Sequence, residues 1–368
     1  MINIITFNND IANYPPIVSI INCLHQRGEN IIVLGYCSDI EIIRGFEKQN
    51  VTYNELFIEG KNPLSKLYAF FKYKLLVKKY TSKICGNVKL WIFGYNNFLL
   101  LNNLVSKYKS IVYLFELTDY TAFSRFRLLV PFVNPLAAMN KAWKVVCCEP
   151  TRSVITKAYF SLKDKPITIP NKPFFDSCYQ YKKSIDIEGL RDKKIIIYQG
   201  IFNYPERKME ELCESLNHLP SEFVLLLIGR SNQYKDMLEK KYKSERIFFV
   251  DFIPFPDYLS LTAKSYIGIL NYNSIPGNMY QSLNTLYCAP NKIYEYAYYN
   301  LPVISNELPA LSEVFSKHKF GIALEKFEPL EIASAILYID QNYDCFSNEA
   351  TGFYNNFDLN VEIENLIQ

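Results

Sequence analysis

"APNKIYEYAYYNLPVIS", residues 289–305, reads as a helix followed by a strand, yet it puts Lys292 and Glu295 in the first turn and four tyrosines in the body. Pro290 suits the first helical position, where a missing amide donor is harmless and φ is already near its helical value. Asn300 suits the left-handed residue past the last turn, and Pro302 forbids continuation. The spacing predicts about ten helical residues between these two marks. Lys292 and Glu295, three apart, share a face near the N-terminal mouth, where free amides and the helix dipole attract anions. A solvated surface pair, worth about a few tenths of a kcal/mol, is the simplest account. A nucleotide is the other: a diphosphate takes the amides and the ammonium, while the carboxylate one turn deeper accepts both ribose hydroxyls.

The surrounding chain favours the second account. From the N-terminus, NIITF is followed by PIVSIINCLHQRG, with apolar residues at Ile17, Ile20, Ile21 and Leu24, and then by NIIVLGY. Strand, helix, strand is the unit of a parallel sheet. KLWIFGY, LLLNNLVSKYK, SIVYLFE and KAWKVVCCE with TRSVITKAYF continue the alternation as far as ITIPNKPF, residues 167–174. After the polar stretch YQYKKSIDIEGLRDKK the pattern restarts with IIIYQG, RKMEELCESLNHL, FVLLLIG, QYKDMLEKKYK, RIFFVDF, PDYLSLTAKS and YIGILNY, and the opening stretch comes next. The expected fold class is therefore α/β, two Rossmann-like parallel-sheet domains facing across a cleft that is the natural ligand site. Residues 1–172 form the first and 173–351 the second, with the C-terminal helix, about 352–368, able to pack back on the first.

Composition narrows the partners. A chain of 368 residues suggests two domains, and 49% apolar with 21% charged residues is ordinary for a globular protein. Forty basic against 37 acidic residues give a formal charge of +3, so nucleic acid is not an expected partner. Nine cysteines without paired spacing read as reduced packing residues of a cytoplasmic protein. Three scattered histidines argue against a zinc site, and the N-terminus MINIITFNNDIANYPP reads as a first strand rather than a leader. No G-x-G-x-x-G follows that strand, which disfavours a dehydrogenase.

The opening stretch with "NELPALSEVFSKHKFGIALE" is similar to the nucleotide-binding signature of GT-B fold glycosyltransferases, in particular retaining family 4 enzymes and relatives used in bacterial surface polysaccharide synthesis. "IIIYQGIFNYPERKMEELCESL", "VLLLIGR" and "RIFFVDFIPFPDYLSL" resemble the strands and loops that precede it in that family, and "VVCCEPTRSVI" and "ITIPNKPF" the end of the first domain. The resemblance covers residues 143–325 and implies a nucleotide-sugar donor, UDP ahead of GDP, with retention of anomeric configuration. It implies Arg207 and Lys292 as phosphate clamps, with Lys208 and Arg230 in reserve, and Gly200 for close backbone approach. Asn291, Ile293 and Glu295 fall on the donor-binding motif, and Phe252 and Ile253 on the loop beside the base. Many members carry two glutamates, of which Glu295 matches the second; the first, eight residues earlier, is Tyr287 here, leaving Asn284 and Asn278 as polar candidates for the sugar.

No Asp-x-Asp triplet occurs, so cationic side chains and a helix dipole are expected in place of a metal or other cofactor. Asp119 and Asp10, on loops after the strands SIVYLFE and NIITF, are candidates for binding acceptor hydroxyls, Asp119 in a catalytic role. "FFKYKLLVKKYTSK" and "TDYTAFSRFRLLVPFVNPL", where Phe123, Phe126 and Phe132 interleave with Arg125 and Arg127, suit either a packed helix with a solvated basic face or peripheral contact with an anionic membrane. The second implies a glycan acceptor linked to polyprenyl diphosphate. An epimerase of the same fold, or a non-catalytic nucleotide-sugar-binding subunit, are the alternatives to a transferase.

Overall fold

Apolar runs without polar alternation need cover on both faces, the condition of a parallel sheet flanked by helices. The computed structural model describes residues 2–56, 63–84, 86–117, 120, 130, 132–174, 181 and 183–368. Two compact units result, one comprising Met1–Phe174 with Asp358–Gln368, the other Phe175–Phe357. The first holds strands β1 (Ile2–Asp10), β2 (Asn30–Tyr36), β3 (Thr52–Glu55), β4 (Val88–Phe93), β5 (Lys109–Leu114), β6 (Lys144–Cys147) and β7 (Ile167–Thr168). They lie in the order β3-β2-β1-β4-β5-β6-β7. The second holds β8 (Lys194–Gln199), β9 (Phe223–Ile228), β10 (Ile247–Val250), β11 (Ile267–Leu270), β12 (Val303–Asn306) and β13 (Gly321–Leu324), ordered β10-β9-β8-β11-β12-β13. Every pairing between these strands is parallel.

In both sheets the first strand lies inside and the order reverses beside it, between β1 and β4 and between β8 and β11. Connections there leave in opposite directions, the arrangement that places a ligand crevice at the carboxyl ends of β8 and β11. Alternate residues of the second sheet feed separate cores. Ile196, Leu225 and Leu227 join one cluster, whereas Ile195, Ile197, Val224 and Leu226 join the other.

Three tyrosines of the opening stretch, Tyr294, Tyr296 and Tyr299, belong to or pack against the second of these cores. Tyr296 is fully buried on β11, where a Cβ added to Gly268 would come within 2.4 Å of its ring. Tyr294 stacks on Phe353 at 5.0 Å, and Tyr298 meets Tyr354 edge-on at 5.2 Å. Phe353 and Tyr354 belong to the helix Tyr343–Asn355, which stays with the second unit; the chain rejoins the first at Asp358. Asp358 caps the last helix, Leu359–Ile367, by accepting from the amides of Asn360 and Val361. Arg27 fastens that helix to the first unit through Glu364 at 3.0 Å. Among the described residues no helix is long and apolar enough to cross a membrane.

Gly268→Ala is expected to destabilise the protein by about 1–3 kcal/mol, because the new methyl must displace a buried ring. Gly352→Ala, where a Cβ meets open space on a helix, is expected to stabilise by about 0.5–1 kcal/mol. Urea unfolding of both variants checks the pair, and equal midpoints would show that Tyr296 does not rest on Gly268.

Candidate functional site

The helix of the opening stretch spans Lys292–Tyr298, shorter than its spacing suggests. Pro290 stands before it rather than at its first position. The first i to i−4 bond runs from the amide of Glu295 to the carbonyl of Asn291 at 3.2 Å, which makes Asn291 the N-cap. The C-terminal end follows the sequence reading: Asn300 has φ 60°, its amide donates to Ala297, and the amide of Leu301 donates to Tyr296. This double closure satisfies the last carbonyls.

Glu295 is only 2% exposed, and Lys292, 23% exposed, donates to its Oε2 at 2.9 Å. A solvated pair is therefore ruled out. Gln199, the last residue of β8, donates through Nε2 to the same oxygen at 3.2 Å, and the Tyr258 hydroxyl donates to Oε1 at 2.9 Å. Thr262 donates to Gln199 Oε1 at 3.1 Å, which turns the amide nitrogen toward the carboxylate. Burial, and next the Glu295 charge, hold the Tyr258 phenol well above its usual pKa, so it remains a donor. Its ring also lies under the Lys292 ammonium, 4.1 Å from the centroid. Gln199, Tyr258 and Thr262 escape sequence reasoning as site residues, because nothing in a local pattern links positions 37 to 96 residues apart.

Arg207 sits on the loop after β8, half-buried, with its guanidinium over the Tyr272 ring at 4.0 Å and Nη1 donating to the Glu206 carbonyl at 3.0 Å. The Glu206 carboxylate accepts from Asn203 and Gln281, and its carbonyl accepts from the Asn273 amide at 2.8 Å. The loop carrying Arg207 is thus tied to the segment after β11. Burial raises the Tyr272 phenol pKa, the positive Arg207 opposes that shift, and Glu295 adds to it. Lys208 lies 5.8 Å over the Tyr204 ring, and the exposed Arg230 lies 4.7 Å over Phe252. Phe252 is exposed, while Ile253 packs at the edge of the core.

Close backbone approach, expected at Gly200, also involves Gly229, where a Cβ would fall 2.1 Å from the Gly200 carbonyl oxygen. Lys235 is a further residue that the sequence hides as a surface helix lysine. It is buried, and its ammonium donates to the carbonyls of Gly229 and Val250 at 2.9 Å each and to Asp251 at 3.0 Å. It thereby locks the ends of β9 and β10 that lead to Arg230 and Phe252. Ile293 is buried in the core, so only its backbone is placed for a ligand. Asn284 lies half-buried on the helix Met279–Leu286; Asn278 caps that helix by accepting from the Gln281 amide at 3.1 Å, and Tyr287 is its C-cap.

In the first unit, Asp10 ties two loops together. Its carboxylate accepts from the amides of Ala12 and Ser38, at 3.1 and 2.9 Å, and from the Ser38 hydroxyl at 2.5 Å. Asp119, Phe123, Arg125, Phe126 and Arg127 lie outside the described residues. Among the described residues no three His, Cys, Asp or Glu side chains converge as metal ligands.

Comparison with known proteins meets this geometry at the second unit. Residues 193–342 match the family model described as "Glycosyl transferases group 1". No curated protein sequence matches the chain. Among solved structures, Anabaena Alr3699/HepE in complex with UDP is similar at TM-score 0.68 and 14% identity, over 100% of this chain and 98% of that one. WaaG, a glycosyltransferase involved in lipopolysaccharide biosynthesis, follows at TM-score 0.64 and 10% identity, over 100% and 98% of the two chains. A putative UDP-N-acetylglucosamine 2-epimerase from Listeria monocytogenes has TM-score 0.63 and 9% identity, over 100% and 94%. The chain has the GT-B fold, and its residues 193–342 match the model of the group 1 glycosyl transferases.

Proposed function

We propose that the protein moves a sugar from a nucleotide sugar, UDP ahead of GDP, to a glycan or lipid-linked glycan in bacterial surface polysaccharide synthesis, with retention of configuration and without a metal. The observation behind this reading is the buried carboxylate of Glu295 beside Lys292 at the carboxyl end of β8, where the strand order reverses. In this role Glu295 accepts the ribose hydroxyls. Lys292 and Arg207 face the diphosphate, which gains negative charge as its bond to the anomeric carbon breaks. Fixed cations that meet that charge lower the barrier more than a base would. The acceptor oxygen bonds to the same carbon, and its proton passes to the departing phosphate oxygen. The UDP bound by the similar Anabaena protein supports the choice of base.

Support for a lipid-linked acceptor and a place at the inner face of the cell membrane comes from the helix Pro63–Lys83. Leu64, Tyr68, Phe71 and Leu75 form an exposed stripe on it, while Ala69, Tyr73 and Val77 are buried. Lys72, Lys78, Lys79 and Lys83 are exposed as well, and the helix contains no acidic residue. Apolar and aromatic side chains among cations fit the boundary of an anionic bilayer.

Screening a panel of nucleotide sugars for diphosphate release tests the transferase reading. A new sugar nucleotide as product identifies an epimerase instead, and binding without turnover identifies the non-catalytic subunit that Tyr287 suggests. Lys292→Ala and Arg207→Ala are each expected to lower turnover by about ten- to a thousandfold, and Glu295→Ala to weaken donor binding in calorimetry; wild-type values would remove these roles. Activity is expected to persist in EDTA, so dependence on added manganese refutes the metal-free mechanism. Vesicles containing phosphatidylglycerol are expected to float the protein and neutral vesicles are not; Leu64→Asp with Phe71→Asp abolishes flotation if the stripe is the contact.

A further inference from the structure

We infer that Tyr258 is a positioning residue for the nucleotide, holding the Glu295 carboxylate with its hydroxyl and the Lys292 ammonium with its ring. This role rests on the nucleotide reading of the site and adds to it a residue outside the signature motif.

The argument starts from the carboxylate. Two oxygens offer about four acceptor directions, and the terminal torsion of a glutamate is broad. Gln199 and Lys292 both bond Oε2, at 3.2 and 2.9 Å. Two bonds to one oxygen leave the carboxylate plane free to swing about it. The Tyr258 hydroxyl, 2.9 Å from Oε1, supplies the second anchor that stops this rotation. Oε1 then keeps one acceptor direction, and Oε2 gains another when Lys292 turns to a diphosphate. Two aligned acceptors are what a ribose diol requires.

The ring has the second task. Lysine carries a compact charge on a flexible four-carbon stem. Resting 4.1 Å over the Tyr258 ring, the Lys292 ammonium is held at the mouth of its helix whether it bonds Glu295 or an incoming phosphate. Tyr258 itself follows β10 on the 251–258 loop and is anchored there by the turn into the helix Leu259–Thr262, whose Leu261 and Thr262 amides donate to its carbonyl. One residue therefore couples the loop that bears Phe252 and Ile253 to the ribose and phosphate contacts.

Calorimetry with UDP and 2′,3′-dideoxy-UDP on the full chain tests this. The wild type is expected to prefer UDP. Tyr258→Phe, which keeps the ring, is expected to lower UDP affinity about tenfold while dideoxy affinity stays within about twofold, so the preference shrinks. Tyr258→Leu is expected to weaken both nucleotides, since Lys292 then loses its support. Thermal melting of each variant separates folding from binding: a lowered midpoint with an unchanged UDP-to-dideoxy ratio makes Tyr258 structural filler and overturns the inference. Normal UDP binding by the wild type with an unchanged ratio in Tyr258→Phe refutes this role alone. Failure of the wild type to bind UDP refutes the nucleotide reading and this role with it.

Discussion

A carboxylate removed from water needs donors around it, because an isolated buried charge costs several kcal/mol or more. Glu295 is met by donors from three places: the end of β8, the loop after β10, and its own helix. The second unit is organised around that requirement. Lys292 bonds the same carboxylate at 2.9 Å, and the chemistry proposed for the site uses these two groups.

The helix that carries them is too short to stand alone in water. Its tyrosines supply the missing stability by packing. Tyr296 lies on β11 where Gly268 makes room, and Tyr294 and Tyr298 meet aromatic rings of the helix Tyr343–Asn355. A tyrosine-rich helix at the proposed nucleotide site is thus a consequence of packing on a strand glycine and an aromatic neighbour, and it leaves the mouth of the helix to the charged pair.

Cations elsewhere in the site are held in a similar way. Arg207 rests on Tyr272, Arg230 on Phe252 and Lys292 on Tyr258. A ring face restrains a long side chain without neutralising it, so the positive charge stays available to the anion proposed for the site. Lys235 is the contrast. Its ammonium is spent on two carbonyls and Asp251, and its effect on the site is to fix the backbone ends of β9 and β10.

Periodicity made the strand and helix alternation of two successive parallel sheets and the place of the motif legible, since runs such as FVLLLIG and the mark at Asn300 are local signals, but it did not reveal β3 or the helix Tyr343–Asn355. The pairing of Lys292 with Glu295 was legible too, three residues being one face of a helix. Tertiary structure decided the rest. Whether that pair lies in water or in the core depends on Gln199, 96 positions away, and Tyr258, 37 away, and the helix start moved from Pro290 to Lys292 because the Asn291 carbonyl receives the first bond. Lys235 and Gly229 became visible only when β9 and β10 were side by side, for burial and close approach are properties of a site in space, which adjacent letters do not encode.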